Sequence, residues 1–474
     1  MRRRLRLAAG ILAVTWGSAC GGRSGPTPAP KAPQPNFVII IADDMAYGLV
    51  GPGRRVPFLT LPNLEGLAAR SVQFDRAFVT TSLCSPSRAT MLSGLYAHTH
   101  GVFVNETVDL SPDIPTYPQI LRGAGYHTAF VGKWHMNAAS DMPRPGFDYW
   151  LSFRGQGVYN DPVLDENGRT VSRTGYITDL LTEYAVDWLQ RTTPPFLLIL
   201  SHKAPHAPCV PAPRHAAAFA DGDFPEPQNY EDTFAGKPAW QRRYVRCGGT
   251  PSAMAQCPDP QPSEIPPWPW AAHESHRVDY ARTLLALDDS VGSVLSTLQA
   301  QGVASSTYVV FLSDNGLFLG EHRLGDKRLA YEESLRVPFL VGGGSVAGAR
   351  SNVVALNLDL APTILDLAGL PVPASMQGRS LAPVLHGGTP ASRDTFLYEY
   401  QAESTYPVVP SMLALRTPRW KYVTYPDGGD EELYDLENDS GELSDLASST
   451  DWDATRADLR RELDQLLRAT GAAP

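Results

Sequence analysis

Four times along the chain a continuous apolar run of strand length gives way abruptly to polar residues. The first, NFVIIIADDMAYG, has buried-strand character from residue 37 to 41 and then places Asp43 and Asp44 in succession. HTAFVGKWH ends in Lys133 and His135, PFLLILSHKAPHAP in His202 and His206, and TYVVFLSDNG in Asp314 and Asn315. Between these runs, LPNLEGLAARS, YPQILRGAG, DLLTEYAVDWLQR and YARTLLALDDSVGSVLSTLQAQG carry apolar residues at helical spacing. Strands alternating with helices predict a largely parallel sheet covered on both faces, and in such sheets ligands bind beyond the carboxyl ends of the strands. Each polar cluster alone has a bland explanation, since paired acids cap turns, a buried histidine often only hydrogen-bonds, and SDNG is a common turn. Their shared place at strand ends points instead to one site on one edge of one sheet.

The overall composition narrows the function classes. With 474 residues, 43% hydrophobic and 19% charged, the chain is globular and long enough for two or three domains. A formal net charge of -10 argues against nucleic acid as a partner, because no basic stripe neutralises phosphates. An anionic substrate would need a local positive pocket.

The first twenty residues, MRRRLRLAAGILAVTWGSAC, have a basic start, a short apolar run and small residues, the pattern of an export signal. Cys20 followed by Gly21 and Gly22 resembles a bacterial lipoprotein cleavage site, which would leave a lipid anchor at Cys20. Gly17-Ser18-Ala19 alternatively suits ordinary signal peptidase. Residues 21–34 form a Gly/Pro-rich tether, so the protein is expected to be bacterial, exported, and either periplasmic or membrane-tethered. Five cysteines are too few for a disulfide framework, although Cys247 and Cys257 bracket a short loop and could pair.

The strand-end residues have a definite chemistry. Asp43, Asp44, Asp314 and Asn315 are oxygen donors, with no thiolate or paired-histidine spacing suited to zinc, so a hard divalent cation such as Ca2+ or Mg2+ fits. Arg88, Lys133 and Lys327 supply positive charge. A metal and several cations around a nucleophile suit displacement at a phosphoryl or sulfuryl centre, where negative charge grows on the attacking and leaving oxygens. Cys84, in TTSLCSPSRATMLSG, stands where a helix begins: Pro86 suits its first turn, Cys84 or Ser85 its N-cap, and Ala89, Met91 and Leu92 continue it. The thiol would then lie at the positive end of a helix dipole, which favours a reactive group or an anion.

CSPSR followed by ATMLSG resembles the sulfatase signature C-x-P-x-R. NFVIIIADDMAYG, GKWH, APHAP, SDNG and GDKRLAYEESLRVPFLV match the other blocks of that family in order, as do NLDLAPTILDLAGL, MQGRSLAPVL and EELYDLENDSGEL toward the end. The resemblance runs from about Pro35 to about Leu446. It implies an alkaline-phosphatase-like α/β fold: a large, mostly parallel sheet flanked by helices, then a smaller domain of antiparallel sheet plus helix. It also implies that a maturation enzyme oxidises Cys84 to formylglycine, whose hydrated aldehyde is the nucleophile. By matching position, Asp43, Asp44, Asp314, Asn315 and residue 84 would bind Ca2+, and Arg88 would hold the matured residue. Lys133 and Lys327 would contact sulfate, His135 would be the base that frees it, and His206 would bind substrate and protonate the leaving alcohol.

The expected organisation is an export signal (1–20), the tether (21–34), a catalytic domain (35–388) and a smaller C-terminal domain (389–474). SMLALRTPRWKYVTYP reads as a hairpin and RADLRRELDQLLRAT as an amphipathic final helix. Residues 209–275, rich in Pro and Trp, read as an irregular insertion, either a wall of the substrate cleft or a surface loop. GFDYWLSFRGQGVYNDPVLDENG and HKAPHAP look most like bacterial sulfatases related to N-acetylglucosamine-6-sulfatase, which implies an exo-acting sulfuric ester hydrolase on a sulfated sugar. The alternatives are a phosphonate or phosphate ester hydrolase of the same superfamily and, from another class, an inactive glycan-binding relative.

Overall fold

Two apolar faces alternate along the central strands, and they determine the layers of the molecule. In the computed structural model, which describes residues 34–472 other than 52–53, 106–107, 138, 221, 223, 248–273 and 390–392, ten strands form one sheet. In chain order these are β1 (Asn36–Asp43), β2 (Ser71–Phe78), β3 (His127–Lys133), β4 (Tyr149–Phe153), β5 (Val163–Glu166), β6 (Arg169–Ser172), β7 (Phe196–Pro205) and β8 (Thr307–Ser313). After a short ribbon of β9 (Phe318–Leu319) and β10 (Gly325–Asp326) come β11 (Phe339–Gly343) and β12 (Ala349–Leu356). The sheet order is β12-β2-β11-β8-β1-β7-β3-β4-β5-β6. β1 pairs in parallel with β7 and β8, and β3 with β7 and β4, while β11, β5 and β6 run antiparallel to their neighbours.

The helices that matter here are α1 (Pro62–Ala68), α2 (Cys84–Ser93), α3 (Tyr117–Gly123), α4 (Ile177–Arg191), α5 (Glu274–Ala300) and α6 (Leu360–Leu367). Val38, Ile40, Val131, Leu198 and Phe311 pack with Leu64, Leu181, Leu189, Leu284 and Leu287, so α1, α4 and α5 cover one face. Phe37, Ile39, Phe130, Ile199 and Val310 pack with Met91, Leu92, Leu121 and Ile364, so α2, α3 and α6 cover the other. Burying each such side chain contributes about 1.5–3 kcal/mol.

Parallel pairing brings the ends of β1, β3, β7 and β8 to one edge, as the sequence predicts. Ala42 is opposite Ser313, Asp43 opposite Pro205, and Gly132 opposite Ser201. Gly132 has φ 120°, and a Cβ there would stand 1.8 Å from the Ser201 carbonyl oxygen, so only glycine lets β3 approach β7 just before Lys133.

A separate antiparallel sheet follows, of β13 (Phe396–Tyr400), β14 (Met412–Arg416), β15 (Trp420–Thr424) and β16 (Glu431–Asp435). The expected hairpin is β14–β15, with Leu415 opposite Tyr422. The final helix, α7 (Asp453–Thr470), buries Leu459, Leu463 and Leu467, one stripe at four-residue spacing. Their core also takes in Phe78, Leu83, Phe318 and Tyr331, and Gln34–Pro474 forms one compact unit. Within the insertion, Asn229, Asp232, Phe234 and Lys237 are buried, so its described part is packed rather than a simple surface loop. The expected export signal, the tether before Gln34, the anchor at Cys20 and the side chains of a Cys247–Cys257 pair lie outside the described residues.

Candidate active site

Cys84 is the first residue of α2, after an extended Leu83 (φ -156°, ψ 137°). The sequence favours Cys84 or Ser85 as the cap, but the helix begins one residue earlier and has no side-chain cap. Asn105 Oδ1 instead accepts the Ser85 N–H at 2.9 Å. The Ser85 hydroxyl donates to the His135 carbonyl at 2.8 Å and the Ser87 hydroxyl to that of Asp314. These bonds fasten the start of α2 to the segments following β3 and β8. All ten residues of α2 are buried.

Burial pushes the Cys84 thiol up to about 12, and Lys133 and Lys327 only partly oppose it. Loss of hydration thus outweighs the favourable end of the helix dipole and keeps the unmodified side chain a neutral thiol. Its Sγ lies 3.6 Å from Asp43 Oδ1 and accepts from Lys327 Nζ at 3.1 Å.

Around it the charges are buried in pairs, the condition under which buried charge is tolerated. Lys133 is enclosed between Asp43 Oδ2 and Gln156 Oε1, the latter at 2.6 Å. Lys327 pairs with Asp44 Oδ1. Arg88 donates to Asp314 Oδ2 from Nε at 3.0 Å and from Nη2 at 2.8 Å, and its Nη1 donates to the Lys133 carbonyl at 2.8 Å. Asp44, at φ 67°, turns the chain so that its N–H donates to Asp314 Oδ1 at 3.0 Å. Burial alone would raise Asp43, but Lys133, His206 and Arg88 hold it well below the usual carboxylate value. Asp314 is pushed up to about 6 by burial despite Arg88, with Asp43 and Asp44 adding to the rise.

The donors fit a hard cation. Ligand atoms of Asp43, Asp44, Cys84 and His206 lie within 4.8 Å of one another. Asn315 donates its amide to Asp44 Oδ1 at 2.7 Å, while its buried Oδ1 accepts no hydrogen bond among the described residues. Such an orphaned acceptor beside carboxylates is what a cation would satisfy.

His135 and His206 also reach this edge. His135 has φ 66°, and burial and Lys133 push its ring well below 6.5, leaving a neutral imidazole. His206 Nδ1 lies 2.7 Å from the Ala207 carbonyl, which can only accept, so Nδ1 carries the hydrogen and Nε2 presents its lone pair. That Nε2 is 3.6 Å from Asp44 Oδ2, and burial lowers the ring to about 4 although Asp44 and Asp43 oppose it.

All ten residues singled out from the sequence as site residues thus meet at this edge. His202, the remaining strand-end polar residue, does not join them: it is wholly buried and pairs with Ser290 of α5 at 3.0 Å. Its neighbours on β7 alternate faces, and parity sends it to the helix layer. The apolar runs and their polar ends do not single out Gln156, Asn105, Tyr159 or Lys203. The Tyr159 hydroxyl donates to the His206 carbonyl at 2.6 Å and Lys203 Nζ to that of Ala207 at 3.3 Å, fixing the turn that presents His206. Gln156 and Tyr159 lie in RGQGVYNDP, a Gly-rich stretch between strands, and this is the signal that could have found them.

The family described as Sulfatase matches residues 35–370. The chain belongs to the sulfatase family. A second match, to the C-terminal region described as that of N-sulphoglucosamine sulphohydrolase, covers residues 320–469. The protein is 31% identical to an N-acetylglucosamine-6-O-sulfatase of Bacteroides thetaiotaomicron, over 92% of this chain and 86% of that one. It is also 31% identical to human N-acetylglucosamine-6-sulfatase, over 80% and 70%. Among solved structures, one in complex with its substrate D-glucosamine-2-N,6-O-disulfate superposes with a TM-score of 0.81 at 29% identity, covering 92% of this chain and 98% of the other. The sulfatase is a sulfuric ester hydrolase of alkaline-phosphatase-like fold, as the resemblance implies.

Proposed function

We propose that this sulfatase removes the 6-sulfate of a terminal N-acetylglucosamine or related hexosamine, with residue 84 matured to formylglycine and a Ca2+ ion held by Asp43, Asp44, Asp314, Asn315 and residue 84. The placement of residue 84 against Asp43 and Lys327 is the observation that carries the chemistry. The substrate class is supported by relatives named for N-acetylglucosamine 6-sulfate and by a superposable structure bound to a 6-O-sulfated glucosamine.

A hydrated formylglycine supplies a hydroxyl to attack sulfur and a second whose deprotonation releases sulfate. A Ca2+ ion held by these residues would supply a Lewis acid. The chain's own residues do the rest. Arg88, fixed by Asp314, orients residue 84 and lowers the cost of negative charge on it. Lys133 and Lys327 hold sulfate oxygens, each well-aimed donor contributing on the order of 3 kcal/mol to the transition state. His135, a neutral imidazole, takes the proton that frees sulfate. His206 binds the substrate and protonates the leaving alcohol; because its free ring is neutral, that proton is taken up with the anionic sulfate ester.

The net charge of -10 favours a small positive pocket for one sulfate over a groove that tracks a polyanion, which supports an exo-acting enzyme. Export, with lipid tethering at Cys20 and encounter with a maturation enzyme, belongs to the same reading. A screen of defined 6-sulfated hexosamines, 2-sulfated uronates and intact polymers tests it. Preference for terminal 6-sulfated hexosamine is expected; preference for a uronate or for internal sulfates removes the assigned sugar. Paired sulfate and phosphate esters of one phenol separate it from a phosphate or phosphonate ester hydrolase.

A further inference from the structure

Lys327 is delivered by a hairpin with a strained backbone. β9 pairs antiparallel with β10, and Lys327 follows directly. Four non-glycine residues of this stretch have positive φ: His322 at 53°, Arg323 at 56°, Asp326 at 73° and Arg328 at 88°. A side chain crowds its own backbone in that region, so such a run persists only where contacts from elsewhere hold it.

Two anchors from distant parts of the chain do so. At the hairpin tip, the buried His322 places Nδ1 2.6 Å from Asp232 Oδ2, which also accepts from Lys237 at 2.6 Å. The His322 N–H donates to the Asn229 carbonyl at 3.1 Å, and the ring stacks on Tyr331 with centroids 4.1 Å apart. Just beyond Lys327, Arg328 Nε donates to Glu403 Oε2 at 2.7 Å and its guanidinium lies 3.6 Å from the centre of the Tyr406 ring. The Tyr398 hydroxyl closes the anchor by donating to the Arg328 carbonyl. Asp232 comes from the insertion, and Glu403 from the connection between β13 and β14.

We propose that Asp232 and Glu403 are positioning residues for Lys327, one fixing the hairpin tip through His322 and the other the following residue through Arg328. Neither carboxylate hydrogen-bonds to Cys84, Asp43 or Asp44; their effect reaches the site only through the strained segment between them. The described part of the insertion is thereby a brace for Lys327. The proposal rests on the reading of Lys327 as a sulfate-binding cation.

The test is a pair of mutant cycles on the matured, full-length enzyme, with kcat/KM for nitrophenyl sulfate expressed per formylglycine-bearing site. Asp232→Asn and Glu403→Gln are made alone and in combination with Lys327→Ala. Each alone is expected to lower kcat/KM by about 10- to 100-fold, the scale of a misplaced reactive group. In the Lys327→Ala background neither should cause a further loss, since the group they position is gone. Unchanged kcat/KM in the single variants, or equal losses in both backgrounds, overturns the positioning role while leaving Lys327 in place. Wild-type kcat/KM in Lys327→Ala overturns the sulfate-binding reading itself. A lowered thermal midpoint with unaltered kcat/KM per site marks the carboxylates as merely structural. Should Asp232→Asn not fold, Glu403→Gln carries the same comparison alone.

Discussion

Lys327 Nζ donates to Cys84 Sγ at 3.1 Å and pairs with Asp44 Oδ1, so one buried ammonium joins Cys84 to a carboxylate of the candidate metal site. Burial would lower its pKa, but the carboxylates of Asp44, Asp43 and Asp314 hold it well above the ordinary value. Lys327→Ala should lower kcat/KM by about 10²–10³-fold in steady-state assays of the matured enzyme. A loss confined to KM would mark Lys327 as a ground-state binder only.

Ligand atoms of Asp43, Asp44, residue 84 and His206 lie within 4.8 Å of one another, close enough for one hard cation to meet several of them, and Asn315 is tied to Asp44 through its amide N–H. Chelation should abolish turnover and Ca2+ should restore it. Ca2+ should also raise the thermal midpoint, because an ion that binds only the folded state stabilises it. Asp43→Asn should lose both responses. Asp43→Ala is expected to be less stable as well, by about 3–5 kcal/mol, since it leaves Lys133 buried without its partner. Turnover that survives thorough chelation contradicts the assignment.

Much of the site was legible because strand ends announce themselves: an apolar run that stops at Asp43, Lys133 or Asp314 fixes both the end of the strand and the edge on which it lies. Less legible was anything depending on parity or on contacts between distant segments. His202 follows the same kind of apolar run as His206, yet alternation along β7 turns it to Ser290. The Cys84 thiol is set by desolvation, which depends on all that packs over α2, whereas the helix dipole can be anticipated locally. Gln156 and Asn105 come from loops whose course follows from packing, and the partnership of Asp232 with His322 spans 90 residues. The antiparallel strands β11, β5 and β6 likewise needed the fold itself to reveal their direction.

His206 offers a test of how the leaving group departs. Its Nε2 faces the site, with Nδ1 occupied by the Ala207 carbonyl. A sugar alcohol needs a proton to leave, whereas nitrophenolate does not. His206→Ala should therefore reduce kcat on a 6-sulfated hexosamine far more than on nitrophenyl sulfate. Equal losses on both would make it a sulfate-binding residue.

The brace at His322 carries a pH signature distinct from catalysis. Burial and Lys237 tend to lower this ring, but the hydrogen bond with Asp232 and the Glu333 carboxylate, 3.7 Å from Nε2, outweigh them and raise it above its ordinary 6.5. A raised histidine contributes stability that is fully present below pH 6.5 and is lost as pH rises through the folded value. Asp232 is lowered from 3.8, so its contribution is present above that pH and is lost only as pH falls through its folded value. Thermal midpoints measured from pH 5 to 9 should decline on the alkaline side in the wild type and decline less in His322→Gln, in buffers covering the ordinary value of 6.5. Parallel curves for the two proteins contradict a charged His322.

The central claim, that residue 84 acts as formylglycine, is tested most directly by the mass of the peptide containing it, taken from enzyme whose sulfatase activity has been measured on the same sample. An aldehyde in place of the thiol is expected, with activity proportional to the converted fraction and absent in Cys84→Ala. Fully active protein whose peptide carries only the unmodified Cys84 thiol would contradict it.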